Sequence, residues 1–245
     1  MGTDFEKFLL NAIQNDDLMD TVKRVSAFHR VKGMDGLRGS IEMLRDRLTD
    51  LPGTTVTLRD YASDGTARYG TWPAPAHWRI DGCHAEMHSG NGESIILADT
   101  GSSNFGVFSY SGRVMPARKF RVVTEKQALG ISGSGAGDTG GGIPDPVETV
   151  VFLRDFTVET AARLFFENGY RGIITAPSSE KYRNDAIMMH ARHWHRIPQT
   201  GHEDFSRPDR LPFGFSITPA QGDALESMLE RNGSGGDTAP PVLSV

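Results

Sequence analysis

The chain has 245 residues, which is enough to bury a full-sized core in one large domain or two small ones. A hydrophobic content of 38% is typical of a soluble protein. A net charge of −5 gives no electrostatic reason to expect nucleic acid or an anionic membrane as a partner. The single cysteine, Cys83, allows no internal disulfide, and the acidic N-terminus does not resemble a secretory signal, so we predict a cytoplasmic protein.

Two helices are predicted in the N-terminal segment, residues 1–52. The first extends from about Asp4 to His29, with apolar side chains at helical spacing. The second begins near Met34, repeats leucine and isoleucine at steps of three and four, and ends before Pro52-Gly53. We interpret both apolar stripes as packing surfaces.

A β-rich segment, residues 53–129, follows the helices. Its short apolar runs are bounded by Gly, Pro, Asp and Ser, which is typical of strands joined by turns. The predicted strands are TTVTLRDYA (54–62), HWRIDGCHAEMH (77–88), ESIILA (93–98), GVFSYSG (106–112) and KFRVVT (119–124). Residues 130–146 are rich in glycine and are predicted to form a linker or an exposed loop.

The segment 147–232 contains the clearest unit of the sequence, a strand–helix–strand crossover. A strand at 148–155 precedes a helix at 157–169, with Thr157 as N-cap and Gly169 as C-cap, and a second strand follows directly. A crossover of this length predicts that the two strands are parallel.

A further strand and helix complete this unit, and a tail of residues 233–245 follows. The strand FGFSI begins at Phe213, and the next helix takes Thr218 as N-cap and Pro219 as its first residue. We therefore predict an α/β (mixed α and β) fold with an N-terminal helical pair, a β-rich middle and a strand–helix–strand unit.

Three short motifs carry a resemblance to a known family: Gly172-Ile173-Ile174, Phe213-Gly214-Phe215 and Pro219-Ala220-Gln221-Gly222. Their arrangement resembles the protease-associated (PA) domain of M28-type zinc aminopeptidases. In that domain a helix runs into Gly-Ala-x-Gly-Ile-Ile, and a Phe-Gly-Phe-x-x-Ser-Pro-x-Gln-Gly segment follows a loop. Residues 28–53 are similar to the Arg-x-x-Gly-Ser, helix, Leu-Pro-Gly entry of these peptidases, and 69–87 share their Trp, Pro and Trp spacing.

The resemblance implies an accessory role rather than catalysis. It rests on packing residues and turns and carries over no catalytic residue, and the domain that would hold two zinc ions is absent from the matched region. Residues 135–141, GAGDTGG, are similar to the Asp loop of that domain, but Thr139 replaces its Asn. The implied function is a non-catalytic segment that gates access of peptides or small ligands, or binds a catalytic peptidase domain.

An aspartic protease is an alternative. The active-site motif of these proteases, Asp-Thr-Gly, begins at Asp99 and again at Asp138. The two aspartate carboxylates, sharing one proton, would be the catalytic pair. The second copy lies in the glycine-rich stretch without an apolar strand before it, and Asp-Thr-Gly-Ser after a strand is also a natural turn. We favour the turn.

A metal-dependent hydrolase is the other alternative. The segment MMHARHWHRIPQTGHED (188–204) offers enough ligands for zinc, although the spacing is not a standard zinc signature. Packed or exposed loop histidines are the simpler interpretation. The candidate ligands are His190, His193, His195, His202, Glu203 and Asp204, and candidates for binding an organic ligand are Trp194, Arg196 and His202.

A third cluster lies in the predicted strand CHAEMH. In a strand, one face would carry His84, Glu86 and His88, which could form a metal triad. We favour the interpretation that these are the solvent face of an antiparallel sheet, because the opposite face, Cys83, Ala85 and Met87, makes a sensible buried surface.

Overall fold

The computed structural model describes residues 15–28, 30, 34–101, 106–130, 145–182, 184–198, 207–233 and 241–245. The chain divides into two compact units, Met1–Arg79 and Ile80–Val245. Helices and a seven-stranded mixed sheet place the protein in the α/β class, as predicted. Within the described residues, no helix is both long and apolar enough to cross a membrane.

The first unit contains the helical pair. Helix α1 spans Asn15–Ser26 and α2 spans Asp35–Thr49, and a short hairpin joins β1 (Arg68–Tyr69) to β2 (Trp72–Pro73). The second helix is confirmed, and the first is confirmed from Asn15 onward, since its earlier part lies outside the described residues. The strand predicted at 54–62 is wrong: this stretch forms no strand and is almost entirely exposed.

The second unit is built on the seven-stranded sheet, whose strand order is β4-β3-β9-β5-β6-β7-β8. Of the six pairings between neighbouring strands, three are parallel and three are antiparallel. The strands are β3 (His84–His88), β4 (Ser94–Asp99), β5 (Lys119–Thr124), β6 (Thr149–Arg154), β7 (Gly172–Ala176), β8 (Phe213–Ser216) and β9 (Val242–Ser244).

The parallel half, β5-β6-β7-β8, contains the predicted crossover. Helix α4 starts as an α-helix at Val158–Ala162 and continues as a π-helix at Arg163–Glu167. Thr157 caps it by accepting from the Thr160 backbone N–H, and Gly169 after it adopts a φ of 76°, a left-handed conformation that suits glycine. The parallel pairing of β6 with β7 is confirmed. A short helix α3 (Glu125–Ala128) follows β5, and α5 (Pro219–Gly233) follows β8.

The antiparallel half contains a strand from the tail. Strand β9 lies between β3 and β5, and Leu243, fully buried, pairs with Met87 on one side and Phe120 on the other. The strand predicted at 77–88 is shorter than expected, because only its last five residues pair. The strand predicted at 106–112 is wrong: this stretch runs beside β8 and forms only single bridges, one from Val107 to Phe215.

The glycines of the three motifs lie at points of close packing. A Cβ on Gly172 would meet the Phe213 ring at 2.6 Å and Val150 at 2.7 Å, and one on Gly214 would meet the Phe108 ring at 2.5 Å. A Cβ on Gly222 would overlap Ala176. The glycines at these three positions therefore let the strands and α5 approach each other more closely than any larger side chain would allow.

Candidate functional site

A groove in the second unit lies between the edge strand β4 and the first turn of α5. Its volume is about 690 Å³, and a segment that follows the short 3₁₀ helix Met188–His190 forms a further wall. The groove is lined by Ile95, His190, Arg192, Thr218, Ala220, Gln221 and Ala224. A cleft beside strand ends and a helix start is a common place for a ligand in α/β proteins.

The start of α5 is fixed by a reciprocal capping box. The Gln221 backbone N–H donates to the Thr218 hydroxyl at 3.1 Å, and the Thr218 backbone N–H donates to the Gln221 side-chain oxygen at 3.0 Å. The Gln221 side-chain nitrogen also donates to the carbonyl of Ile96 on β4 at 2.8 Å. Gln221 therefore holds α5 against the sheet edge, and the predicted N-cap Thr218 is confirmed.

Arg192 forms the opposite wall. Its Nη2 donates to the Leu97 carbonyl on β4 at 3.1 Å, and a Cβ on Gly106 would lie 2.6 Å from Nη1. Nη1 is buried and has no hydrogen-bond partner among the described residues. Burial lowers the pKa of Arg192 from its usual value, and the nearby Cys83 thiol acts in the opposite direction.

The carboxyl ends of the parallel strands are occupied by an ion-pair network of the protein's own side chains. Asp155, which follows β6 and has a φ of 54°, accepts from Lys181 Nζ at 2.7 Å and from the Ser178 backbone N–H at 3.2 Å. Arg154 donates to Asp223 at 2.6 Å and to Glu226 at 2.9 Å, both on α5. These contacts anchor α5 and the start of the loop that leads to His190.

The three described histidines of the predicted zinc cluster occupy different environments. His190 is exposed on the groove, whereas His193 lies 3.2 Å from the Tyr182 hydroxyl through its Nε2. His195 packs between the rings of Phe156, at 4.5 Å between centroids, and Phe108, at 5.2 Å. Burial, with a smaller effect of His193, lowers the pKa of His195 to about 4, so its ring is neutral at pH 7.

The structure brings His193 and His195 together, with 6.4 Å between their ring centroids. In the part of the chain that the structure describes, no three His, Cys, Asp or Glu side chains form a group able to hold a metal ion. The remaining candidate ligands, His202, Glu203 and Asp204, lie outside the described residues. Trp194 donates from its indole nitrogen to the Ser109 hydroxyl at 3.1 Å, and the exposed Arg196 does not line the groove.

Asp99 ends β4 and begins a turn, as favoured from the sequence. Its carboxylate accepts from the Gly101 backbone N–H at 2.8 Å, and Thr100 pairs with the backbone of Cys83. Asp138, the second carboxylate of the aspartic-protease hypothesis, lies outside the described residues. Burial, followed by the charge of Asp99, raises the pKa of Cys83 to about 11, so this thiol is protonated and unreactive at neutral pH.

The face of β3 predicted to contact solvent does so. Ala85 and Met87 are fully buried, while His84 and His88 flank Glu86 at 3.7 Å and 3.8 Å on the opposite face. Strand β3 pairs antiparallel with β4, as the alternation predicted. Glu86 has its pKa lowered, chiefly by a hydrogen bond from Ser94, and these residues form a polar surface.

No protein-family model matches the chain, and no curated protein shows significant similarity to it. The interpretation of the groove therefore rests on its geometry and on the motif residues that form it.

The positions of two residues in the groove, Gln221 and Arg192, were not predicted from the sequence. Gln221 had a signal, because Thr218-x-x-Gln221 is the capping-box spacing, but nothing in that spacing indicates a bond to β4. No sequence signal singled out Arg192, because it is one arginine among several charged and aromatic neighbours. Only the fold brings it to Leu97, which lies 95 positions earlier in the chain.

Proposed function

We propose that this chain is a non-catalytic accessory segment, related to M28-type aminopeptidases, that binds peptides or small ligands in the groove between β4 and α5. Its biological role would be to gate or select substrates for a catalytic peptidase domain. The lone cysteine and the composition favour a cytoplasmic setting for this role.

The groove is the observation that carries this proposal. Its volume of about 690 Å³ suits a few peptide residues, and its lining combines apolar side chains with a small number of polar groups. Its helix wall is built by Pro219-Ala220-Gln221-Gly222, the motif that also carries the resemblance to the PA domain.

The loop that carries His190 and Arg192 supports the gating part of the proposal. In the resembled PA domain, this region is a loop that crosses over the substrate cleft. Here the loop starts at the strand ends, where Asp155 holds Ser178 and Lys181, and its later part reaches the groove. The later part is held as well, by the bonds from Arg192 to Leu97 and from Trp194 to Ser109, so the exposed stretch at His190 between these anchors is the part that can admit or exclude a ligand.

Peptide binding is tested by nuclear magnetic resonance with acetyl-Ala-Ala-Leu, as free acid and as amide. We expect shifts of the Ile95, Ala220 and Ala224 amides on addition of at least one form. Ala224→Phe should abolish them by filling the groove, whereas Ser227→Phe, at an exposed position of α5 outside the groove, should leave them intact. Shifts elsewhere, or none, would reject the groove as a peptide site.

The non-catalytic part is tested separately with unblocked Ala-Ala-Leu. We expect no cleavage by the purified chain over hours at pH 5 or pH 7.5, monitored by chromatography. Cleavage lost on His193→Ala would favour the metal-dependent alternative, and cleavage at acid pH lost on Asp99→Asn would favour the aspartic-protease alternative.

One observation favours zinc-dependent hydrolysis as a second candidate function. His195 supplies a neutral imidazole, the form that binds a metal, and the ring of His193 lies 6.4 Å from it between centroids. The test is the zinc content of the purified chain. Stoichiometric zinc that is lost on His193→Ala, but retained on His84→Ala in the β3 surface, would support this candidate, and zinc-free protein after dialysis against zinc would reject it.

A further inference from the structure

Helix α2 carries an apolar stripe that the proposed function does not use. Its members follow one another at steps of four, three, four and three residues, which is the spacing of positions a and d in a coiled coil. This heptad stripe consists of Leu37, Ile41, Leu44 and Leu48 within the helix and Leu51 directly after its C-cap. A strict repeat of 3.5 residues is typical of a seam between two helices rather than of a helix that covers a broad core.

Much of the heptad stripe is open to solvent. The exposed fraction is 41% for Ile41, 45% for Leu48 and 52% for Leu51, and Leu37 and Leu44 are half-buried. Large apolar side chains in a continuous row gain free energy when a partner removes them from water. The stripe therefore has the properties of an unfilled interface.

The contact between α1 and α2 uses another side of α2. A Cβ on Gly39 would meet the Phe28 ring, which follows α1, at 2.8 Å, and Arg47 lies 3.7 Å from Asp20 on α1. In the described part of the two helices, Ser40 is the one residue that is buried. Packing of α1 on α2 therefore leaves the heptad stripe free for a further helix.

The residues of the stripe favour two parallel strands. Position d is leucine three times, at Leu37, Leu44 and Leu51, and position a includes the β-branched Ile41. Leucine at d with a β-branched residue at a favours a parallel dimer. A helix with a matching stripe is present in every second copy of the chain, and a twofold axis would bury the same residues on both sides.

The charges beside the stripe agree with a parallel pair of copies. Positions e are Arg38 and Arg45, and positions g are Ser40 and Arg47. In a parallel pair, g faces e of the next heptad, so Ser40 faces Arg45 of the second copy, whereas an antiparallel pair would set Arg38 against Arg45 of the second copy. Helix α2 has three arginines and three acidic residues, so its net charge does not oppose pairing with its own copy.

We propose that the chain forms a homodimer in which α2 pairs in parallel and in register with α2 of a second copy through the heptad stripe. This inference is independent of the proposed function, because the stripe lies in the first unit and the groove lies in the second.

The test is sedimentation equilibrium of the full chain from about 1 µM to about 100 µM, a range that covers the dissociation constants expected for a short seam. We expect the mass of two chains at the highest concentration and dissociation on dilution. A monomer at every concentration would overturn the proposal.

Variants locate the interface. Ile41→Glu combined with Leu48→Glu should raise the dissociation constant on the order of 100-fold, about tenfold for each apolar contact replaced by a charge. Ile187→Glu, which changes an apolar side chain that is 82% exposed in the second unit, should leave the dissociation constant unchanged. Circular dichroism checks that each variant is folded. A dimer that the double variant does not weaken would place the interface elsewhere and overturn the proposal.

Cysteine crosslinking tests the orientation and does not depend on the folding of the double variant. In a Cys83→Ser background, Leu37→Cys and Leu51→Cys each place one thiol at a d position, where a parallel pair brings it opposite its own copy. We expect each variant alone to form a disulfide-linked dimer under mild oxidation, and Ile187→Cys to remain a monomer on a denaturing gel. Crosslinks that form only when Leu37→Cys and Leu51→Cys are mixed would show an antiparallel pair and overturn the parallel arrangement.

Discussion

The two halves of the seven-stranded sheet bury their residues in different ways. In the parallel half, β6, β7 and β8 are buried along nearly their whole length, on both faces. In the antiparallel half, β3 alternates buried with exposed or half-buried positions, and β4 buries only Leu97 and Ala98 and leaves Ile96 52% exposed. Parallel strands are covered on both faces because the crossovers place helices there, whereas an antiparallel strand can leave one face to water. Substitutions should therefore lower the free energy of unfolding more in the parallel half, and at β9 between the two halves, than elsewhere in the antiparallel half.

The largest effect is expected at the boundary between the halves. Leu243→Ala in β9 should lower the free energy of unfolding by about 3 kcal/mol, because it leaves a cavity between Met87 and Phe120. Urea unfolding measures the loss. Ser244→Ala, at the half-buried neighbouring position, should cost less than about 0.5 kcal/mol. Similar losses of unfolding free energy in both variants would mean that the packing of β9 does not stabilise the contact between the two halves of the sheet.

Glycine substitutions should distinguish the halves directly. Gly172→Ala in β7 should destabilise the protein by about 2 kcal/mol, because its Cβ would overlap the buried Phe213 and Val150 side chains. Gly82→Ala, just before β3, has nothing within 4 Å of the new Cβ and should be nearly neutral. The comparison is made by thermal unfolding of both variants. Equal shifts in Tm would contradict the tighter packing of the parallel half.

A pH effect is expected from His195, which packs against Phe156 after the parallel strand β6. Its folded pKa of about 4 lies below the ordinary histidine value of 6.5, so the unfolded chain binds the proton first as the pH falls. This contribution to stability is complete above pH 6.5 and is lost as the pH falls from 6.5 to about 4. The loss should be on the order of 1–2 kcal/mol, allowing for the partial exposure of the ring.

The variant that isolates this effect is His195→Phe, which keeps an aromatic ring between Phe108 and Phe156 but cannot titrate. The slope of the unfolding free energy against pH between 4 and 6.5 should be smaller in the variant than in the wild-type chain. An unchanged slope would assign the pH dependence to other groups.

The last prediction concerns Cys83, which precedes β3. We expect its burial to contribute least to stability but to slow the reaction of its thiol strongly. With its pKa at about 11, the native thiol should react with Ellman's reagent at pH 8 about 100-fold more slowly than the unfolded chain in urea. The chain has one cysteine, so the reaction reports this position alone. Equal rates in the native and unfolded states would show that the antiparallel half is open at this point.

Local patterns predicted a large part of the second unit. The crossover from β6 to β7, the Thr157 cap and the alternation of β3 were all predicted, because propensity, capping and periodicity act over a few residues. The run bounded by turn residues at 54–62 was misleading, because it forms no strand and stays almost entirely exposed. The glycines of the three motifs were recognised as a pattern, but the reason for them, close contacts such as Gly172 with Phe213, required coordinates.

The sequence by itself determined the α/β class, the capped helices and the buried face of β3, because these depend on the spacing of neighbouring side chains. The tertiary structure alone decided that the tail enters the sheet as β9, and that Arg192 and Gln221 meet the edge of β4. Both depend on pairing between residues about one hundred or more positions apart. No local preference encodes such pairing: it is selected when the whole sheet buries its apolar surface and satisfies its backbone groups together.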